Sequence, residues 1–111
     1  MLAPKNRLTK KNDFNAVFKQ GQGFRQDFLY LKIKNNDFEL SRFGFVVSKK
    51  FSKKAAERNK IKRRLREIIK KNLPGIKKPK DVIIIVNPGA ENDFKKLEQT
   101  IDKLFKKASL I

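Results

Sequence analysis

The stretch with the strongest chemical signature is a run of lysine and arginine residues in the middle of the chain. Between Lys49 and Lys71 it holds 12 basic residues against two glutamates, a net charge of +10 out of +18 for the whole chain. The apolar residues of this run recur at i, i+4, i+7 and i+8: Ile61, Leu65, Ile68 and Ile69. That spacing predicts an α-helix that docks one face on a hydrophobic core.

The opposite face of this predicted helix is basic. On a helical wheel one arc of roughly 100° collects five polar residues: Asn59, Lys62, Arg63, Arg66 and Lys70. A charge run of this kind is often only a solvated surface, but guanidinium groups suit bidentate contact with phosphate. The sequence therefore favours a polyanion-binding face. Arg58 falls outside the arc, so it either reaches out from the first turn or packs as a structural arginine.

A second pattern combines aromatic with basic residues. The alternation from Arg25 to Lys34 predicts a strand with two different faces, because side chains alternate along a strand. One face is aliphatic, and the other carries Phe28, Tyr30 and Lys32. A helix predicted over residues 10–20 adds Phe14 and Phe18. Such aromatics could stack on the bases of a single-stranded nucleic acid, or they could fill a core; the spacing leaves both readings open.

Composition bounds the chemistry further. The chain has 111 residues, which predicts one domain over 1–111, and it contains neither cysteine nor histidine. Disulfides, thiolate nucleophiles, histidine bases and the usual zinc sites are therefore excluded. The acidic residues are scattered and no phosphate-binding glycine loop occurs, so we predict no catalytic residue and no metal site in the chain.

The same composition predicts a soluble protein. A pI near 10.4 makes nucleic acid the expected partner. The longest apolar run, Val82–Val86, is too short to span a bilayer, so we expect no membrane association. The first residues lack the apolar region of a secretory signal, and we expect a cytoplasmic location.

The order of elements predicts an α+β fold. The expected series is α-β-β(-β)-α-β-α, in which residues 38–48 supply a strand or a strand pair and Gly21–Gly23 a flexible connection. Within residues 38–48, Gly44 would let another group approach the backbone closely. Ser52 and Asn92 are the predicted N-caps of the second and third helices. A small sheet with helices mainly against one face is a compact two-layer α/β sandwich.

The basic helix also carries a family resemblance. Arg58-Asn59-Lys60-Ile61-Lys62-Arg63 followed by Arg66-Glu67 resembles the RNR signature of the protein subunit of bacterial ribonuclease P. The flanks are similar as well, from Asp13-Phe14 and Val17-Phe18 to the run Arg42–Lys50. The resemblance covers nearly the whole chain.

The resemblance implies a fold and a function. The fold would be related to the second domain of ribosomal protein S5, with a left-handed βαβ crossover against the usual rule. The protein would assist endonucleolytic removal of the 5′ leader from precursor tRNA. The ribonuclease P RNA would perform the hydrolysis with Mg²⁺ that it mainly holds itself, one protein would bind each RNA, and the protein alone would not be catalytic.

The resemblance, with the patterns above, also assigns candidate site residues. The cleft for the single-stranded leader is expected to comprise Phe14, Phe18, Phe28, Tyr30 and Lys32. The surface that binds the RNA subunit is expected to comprise Lys53, Lys54, Arg58, Asn59, Lys62, Arg63, Arg66 and Lys70.

The sequence leaves two other functions open. A ribosomal or general RNA-binding protein would employ the basic helix without regard to a 5′ leader. A protein nuclease would need a metal bound by carboxylates and would cleave RNA with no RNA subunit present. The scattered acidic residues disfavour the nuclease.

Overall fold

A β-sheet forms the centre of the computed structural model, which describes residues 3–76, 78–90 and 92–111. Within them the sheet has four strands: β1 (Gln22–Gln26), β2 (Leu29–Asn35), β3 (Arg42–Val47) and β4 (Lys80–Val86). The strands lie in the order β1-β2-β4-β3, so β1 and β3 form the edges. β2 pairs antiparallel with both of its neighbours, whereas β3 and β4 are parallel.

Three α-helices complete the described elements: α1 (Lys11–Gln20), α2 (Ala55–Asn72) and α3 (Phe94–Lys107). Short 3₁₀ turns occupy Pro4–Asn6 and Leu73–Gly75. The chain order α-β-β-β-α-β-α confirms the predicted α+β class, but its additional strand is Gln22–Gln26, whereas residues 38–48 supply the single strand β3. The left-handed sense of the β3-α2-β4 crossover and the relation to ribosomal protein S5 stay predictions.

The additional strand arises where the sequence predicted a connection. Gln22–Gln26 pairs with β2 as a hairpin, so the single strand predicted from Arg25 to Lys34 is wrong. The chain reverses at Asp27 and Phe28, and Asp27 adopts a positive φ of 53°. Aspartate tolerates this left-handed conformation better than most residues. Asp-Phe lacks the Asn-Gly or Asp-Gly signal typical of such turns, and the sequence therefore gave no sign of the reversal.

The main hydrophobic core lies between one face of the sheet and helices α2 and α3. The predicted apolar stripe of α2 is fully buried there, which confirms its orientation. From the sheet, β2 contributes its aliphatic residues and β4 contributes Val82, Ile84 and Val86. The rings of Phe43 on β3 and Phe105 on α3 stack with centroids 6.3 Å apart.

Helix α1 covers part of the opposite face. Its contact with the sheet rests on a much smaller core of Leu8, Val17 and Ile83. Two of the three helices therefore share one face, as predicted, while the third leaves part of the second face uncovered. This uneven coverage positions the candidate site.

The predicted caps of α2 and α3 are displaced by one or two residues. The N-cap of α2 is Lys54, and Ser52 instead accepts a hydrogen bond from the Lys54 amide and donates one to Glu57. The N-cap of α3 is Asp93, whose side chain accepts from the Lys96 amide at 3.2 Å. Ser52 thus orders the loop that precedes α2, although it does not cap the helix.

Candidate nucleic-acid interface

Four residues on the second face of the sheet form a row that α1 leaves uncovered. Strand register aligns Arg25, Tyr30, Ile85 and Val46 across β1, β2, β4 and β3. Arg25 is exposed and the other three are partly exposed. We call this set the open row. The sequence singled out only Tyr30, although the alternation along β3 and β4 places Val46 and Ile85 on the face away from the main core.

Helix α1 lies over the adjacent row and forms a wall beside the open row. Phe14 packs on the backbone at Gly44, where a Cβ atom would come within 2.4 Å of its ring. The prediction that Gly44 allows a close approach is therefore confirmed. Phe18, one turn further along α1, remains 39% exposed. Phe14 thus belongs with the small core, and Phe18 is the aromatic that α1 presents to solvent.

Tyr30 extends from the open row towards the hairpin partner. A Cβ atom on Gly23 would lie 2.0 Å from its hydroxyl oxygen, so the side chain occupies the space that a larger residue at Gly23 would fill. Glycine at this position is what allows the tyrosine to lie across β1.

Phe28 does not share the face of Tyr30 and Lys32, and that prediction is wrong. It is the second residue of the hairpin turn and packs against the main core. The reversal at Asp27 breaks the alternation that the sequence suggested. Phe28 therefore stands outside the open row.

Lys32 lies on the predicted face but is engaged by α1. Its Nζ donates to the carbonyl oxygens of Phe18 and Gly21, each at 3.4 Å. Cations at this end of a helix are stabilised by unpaired carbonyls and the helix dipole. The lysine therefore anchors the end of α1, and its predicted contact with a leader stays a prediction.

The basic arc of α2 faces outward, as predicted. Asn59, Arg63 and Lys70 are exposed, as are Lys53 and Lys54 before the helix. Lys62 and Arg66 are partly buried. The Arg66 guanidinium lies 5.8 Å from the centroid of the Phe45 ring, a cation–π contact that limits its motion.

Two other arginines of α2 have structural partners. Arg58 is partly buried and donates to the Ser52 carbonyl at 2.8 Å, which fits the interpretation of a structural arginine. Arg64 donates to the backbone carbonyl of Asn92 and, at 2.9 Å, to its side-chain oxygen. The two guanidinium groups tie α2 to the segments before α2 and before α3.

The basic arc and the open row both reach the edge strand β3, from opposite faces of the sheet. Phe45, under Arg66, and Val46, in the open row, are consecutive residues of the edge strand β3. A polyanion that follows the open row across the sheet would pass around this edge to reach α2. The two surfaces can therefore bind neighbouring parts of one assembly.

Two carboxylates beyond the row that α1 covers are already paired. Asp81 is buried and accepts from Arg42 at 2.6 and 2.9 Å, and Asp13 accepts from Arg42 at 3.2 Å. Over the described ranges 3–76, 78–90 and 92–111, no group of three metal-binding side chains occurs. None of the helices in that part of the chain is both long and apolar enough to cross a membrane.

Comparison with known proteins identifies relatives that share this architecture. The model of the ribonuclease P family matches residues 2–109, a range that includes all the described helices and strands. The ribonuclease P protein component of Synechocystis sp. is 37% identical over 107 residues, which cover 95% of this chain and 86% of that protein. The RNase P protein of Staphylococcus aureus superposes with a TM-score of 0.87 at 30% identity, over 95% of this chain and 96% of that one. The RNase P protein of Thermotoga maritima gives a TM-score of 0.80 at 31% identity, over 91% and 96%.

Proposed function

Because the chain belongs to the ribonuclease P protein family, we propose that it binds the catalytic ribonuclease P RNA and the 5′ leader of precursor tRNA. In this role it assists removal of the leader to give the mature 5′ end of the tRNA. The RNA subunit performs the hydrolysis, and one protein binds each RNA. The complex works in the cytoplasm, where precursor tRNA is found.

The observation that carries the proposal is the open row with Phe18 beside it. The open row combines one aromatic residue, two aliphatic residues and an exposed arginine, and this combination suits single-stranded RNA. Bases stack on aromatic rings with little regard to their identity, and arginine attracts the backbone phosphates. Leaders of different sequence could therefore bind along the same open row.

The basic arc of α2 supplies the contact with the RNA subunit. Folded RNA presents closely spaced phosphates, and cations on a rigid helix can match them without the entropy loss of a flexible tail. Arg63, Arg66 and Lys70 lie along this arc. In this proposal the open row binds the leader and the basic arc of α2 binds the RNA subunit, so each surface has its own role.

In this proposal the RNA subunit binds the Mg²⁺ ions. Asp13 and Asp81 do not fit a protein-bound cation, because both carboxylates are already paired with Arg42. A third carboxylate does not join them in the described part of the chain. The protein therefore acts by positioning RNA.

The direct test compares precursor tRNA with and without its leader. The reconstituted holoenzyme should bind the leader-bearing substrate more tightly, and RNA subunit alone should show a smaller difference. A general RNA-binding protein would give the same increase for both substrates. Equal affinities for the two substrates in the presence of the protein would contradict the proposal.

Phe18→Ala should reduce leader-dependent affinity by about 1–3 kcal/mol, since one stacking platform is lost. Because Phe18 is exposed, the melting temperature should change little. Binding of the leaderless tRNA serves as the internal control. A parallel loss for leaderless tRNA with a lower melting temperature would assign Phe18 to the core.

A further inference from the structure

Helix α1 is attached to the sheet by few apolar contacts. Its buried core consists of Val17 packed with Leu8 and Ile83, with Phe14, Val46 and Ile85 partly buried against it, whereas α2 and α3 share an extensive core on the other face. The position of α1 relative to the open row therefore depends strongly on polar ties. One of these is the Lys32 contact with the end of the helix.

A second tie is an ion-pair network at the start of α1. Arg42 on β3 donates through Nε and Nη2 to both carboxylate oxygens of Asp81 on β4. Its remaining Nη1 donates to Asp13 Oδ2 on α1 at 3.2 Å. Asn36 also donates to Asp81 at 2.9 Å. One guanidinium thus connects the two strands to the helix.

The network is rigid on the sheet side. The Asp81 side chain is only 6% exposed and that of Arg42 19%, so both are held by burial as well as by bidentate pairing. The Arg42 guanidinium also lies 4.4 Å from the centroid of the Phe38 ring. The hydrogen bond with Asp81 raises the pKa of Arg42, and the guanidinium remains charged. Asp13, with a side chain 31% exposed, is the more accessible link.

We propose that Asp13 and Arg42 are positioning residues for the leader, an inference that rests on the proposed function. Their ion pair holds the first turn of α1 against the sheet and so fixes the separation between Phe18 and the open row. Neither residue needs to touch the leader. Loss of the ion pair lets α1 shift, and a base can then no longer contact Phe18 and the open row at the same time.

Asp13→Asn is the suitable variant because it replaces the ion pair with α1 by at most a neutral hydrogen bond and leaves the buried Arg42–Asp81 pair intact. It also removes a negative charge, which should strengthen RNA binding in general. A loss of affinity for the leader would therefore be opposite in sign to the change expected from charge alone. Asp102→Asn is the matched control, since it makes the same charge change at a carboxylate whose ion pair, with Lys106 at 3.1 Å, lies within α3 itself.

The experiment measures holoenzyme affinity for leader-bearing and leaderless precursor at one salt concentration. The leader-dependent gain is the factor by which the leader increases the affinity of the holoenzyme for the precursor. Asp13→Asn should reduce this gain roughly three- to tenfold, whereas Asp102→Asn should leave it unchanged. Asp13→Glu, which keeps the charge, should retain most of it. Melting temperatures should stay close to that of the parent chain, because a partly exposed ion pair contributes little to folding.

Three outcomes would overturn the inference. If Asp13→Asn keeps the full leader-dependent gain, the pair does not position α1, and the proposed function still stands. An equal loss for both substrates with a lower melting temperature would assign the pair a purely structural role. If the parent chain itself shows no gain, the proposed function fails, and the positioning role fails with it.

Discussion

Replacing Arg63, Arg66 and Lys70 together with alanine is expected to weaken binding of the ribonuclease P RNA by roughly 100-fold or more. Each lost contact between a cation and a phosphate should cost about 1 kcal/mol or more. The dependence of log K on log salt should also become shallower by about two to three units, because fewer counterions are released. Filter binding at several salt concentrations measures both effects.

The control is the alanine triple variant at Lys95, Lys103 and Lys106 of α3. It removes the same net charge from three exposed residues outside the basic arc. Its affinity should fall far less, since only the long-range attraction changes. Equal losses for the two triple variants would mean that net charge alone drives binding, and the basic arc would lose its assigned role.

Arg42→Met is expected to lower the free energy of unfolding by about 3–5 kcal/mol, because it leaves the buried Asp81 carboxylate without its cation. For a chain of this size that corresponds to a fall in melting temperature of roughly 10–25 °C. Thermal unfolding followed by circular dichroism gives the measurement. The effect should exceed that of Asp13→Asn, which removes only the outer partner.

Arg64→Met supplies the matched control. Arg64 also bridges two elements, but its acceptors are the neutral oxygens of Asn92, and the group is only partly buried. We expect a loss of about 1 kcal/mol. Comparable losses of unfolding free energy in the two variants would mean that loss of the arginine side chain itself, and not the unpaired Asp81 carboxylate, determines the effect.

Residue periodicity predicted the large elements because each one buries a continuous apolar stripe. The run from Ile61 to Ile69 and the β-branched β4 both match the main core as expected. The hairpin was missed because Asp27-Phe28 carries no standard turn signal, and alternation simply continues through it. Which residues come together on the second face depends on strand register, which is a long-range property.

The part of the candidate site that could be predicted from the sequence is the exposed basic arc. The basic arc could be read from the wheel because it lies opposite the apolar stripe that docks α2 on the core. Phe14, Phe18 and Lys32 could not be separated from sequence alone, since all three belong to the same surface. Only their partners distinguish them: Gly44 beneath Phe14, solvent around Phe18, and the end of α1 above Lys32. The ion pairs of Arg42 join residues distant in the chain and leave no local signature.

The most direct test of the central claim is cleavage of leader-bearing precursor tRNA by ribonuclease P RNA at low Mg²⁺, with and without this protein. The protein alone should cleave nothing, and its addition should restore cleavage that the RNA cannot sustain at that Mg²⁺ concentration. The site of cleavage should be the mature 5′ end. No gain over the RNA subunit alone, or cleavage by the protein without RNA, would contradict the account.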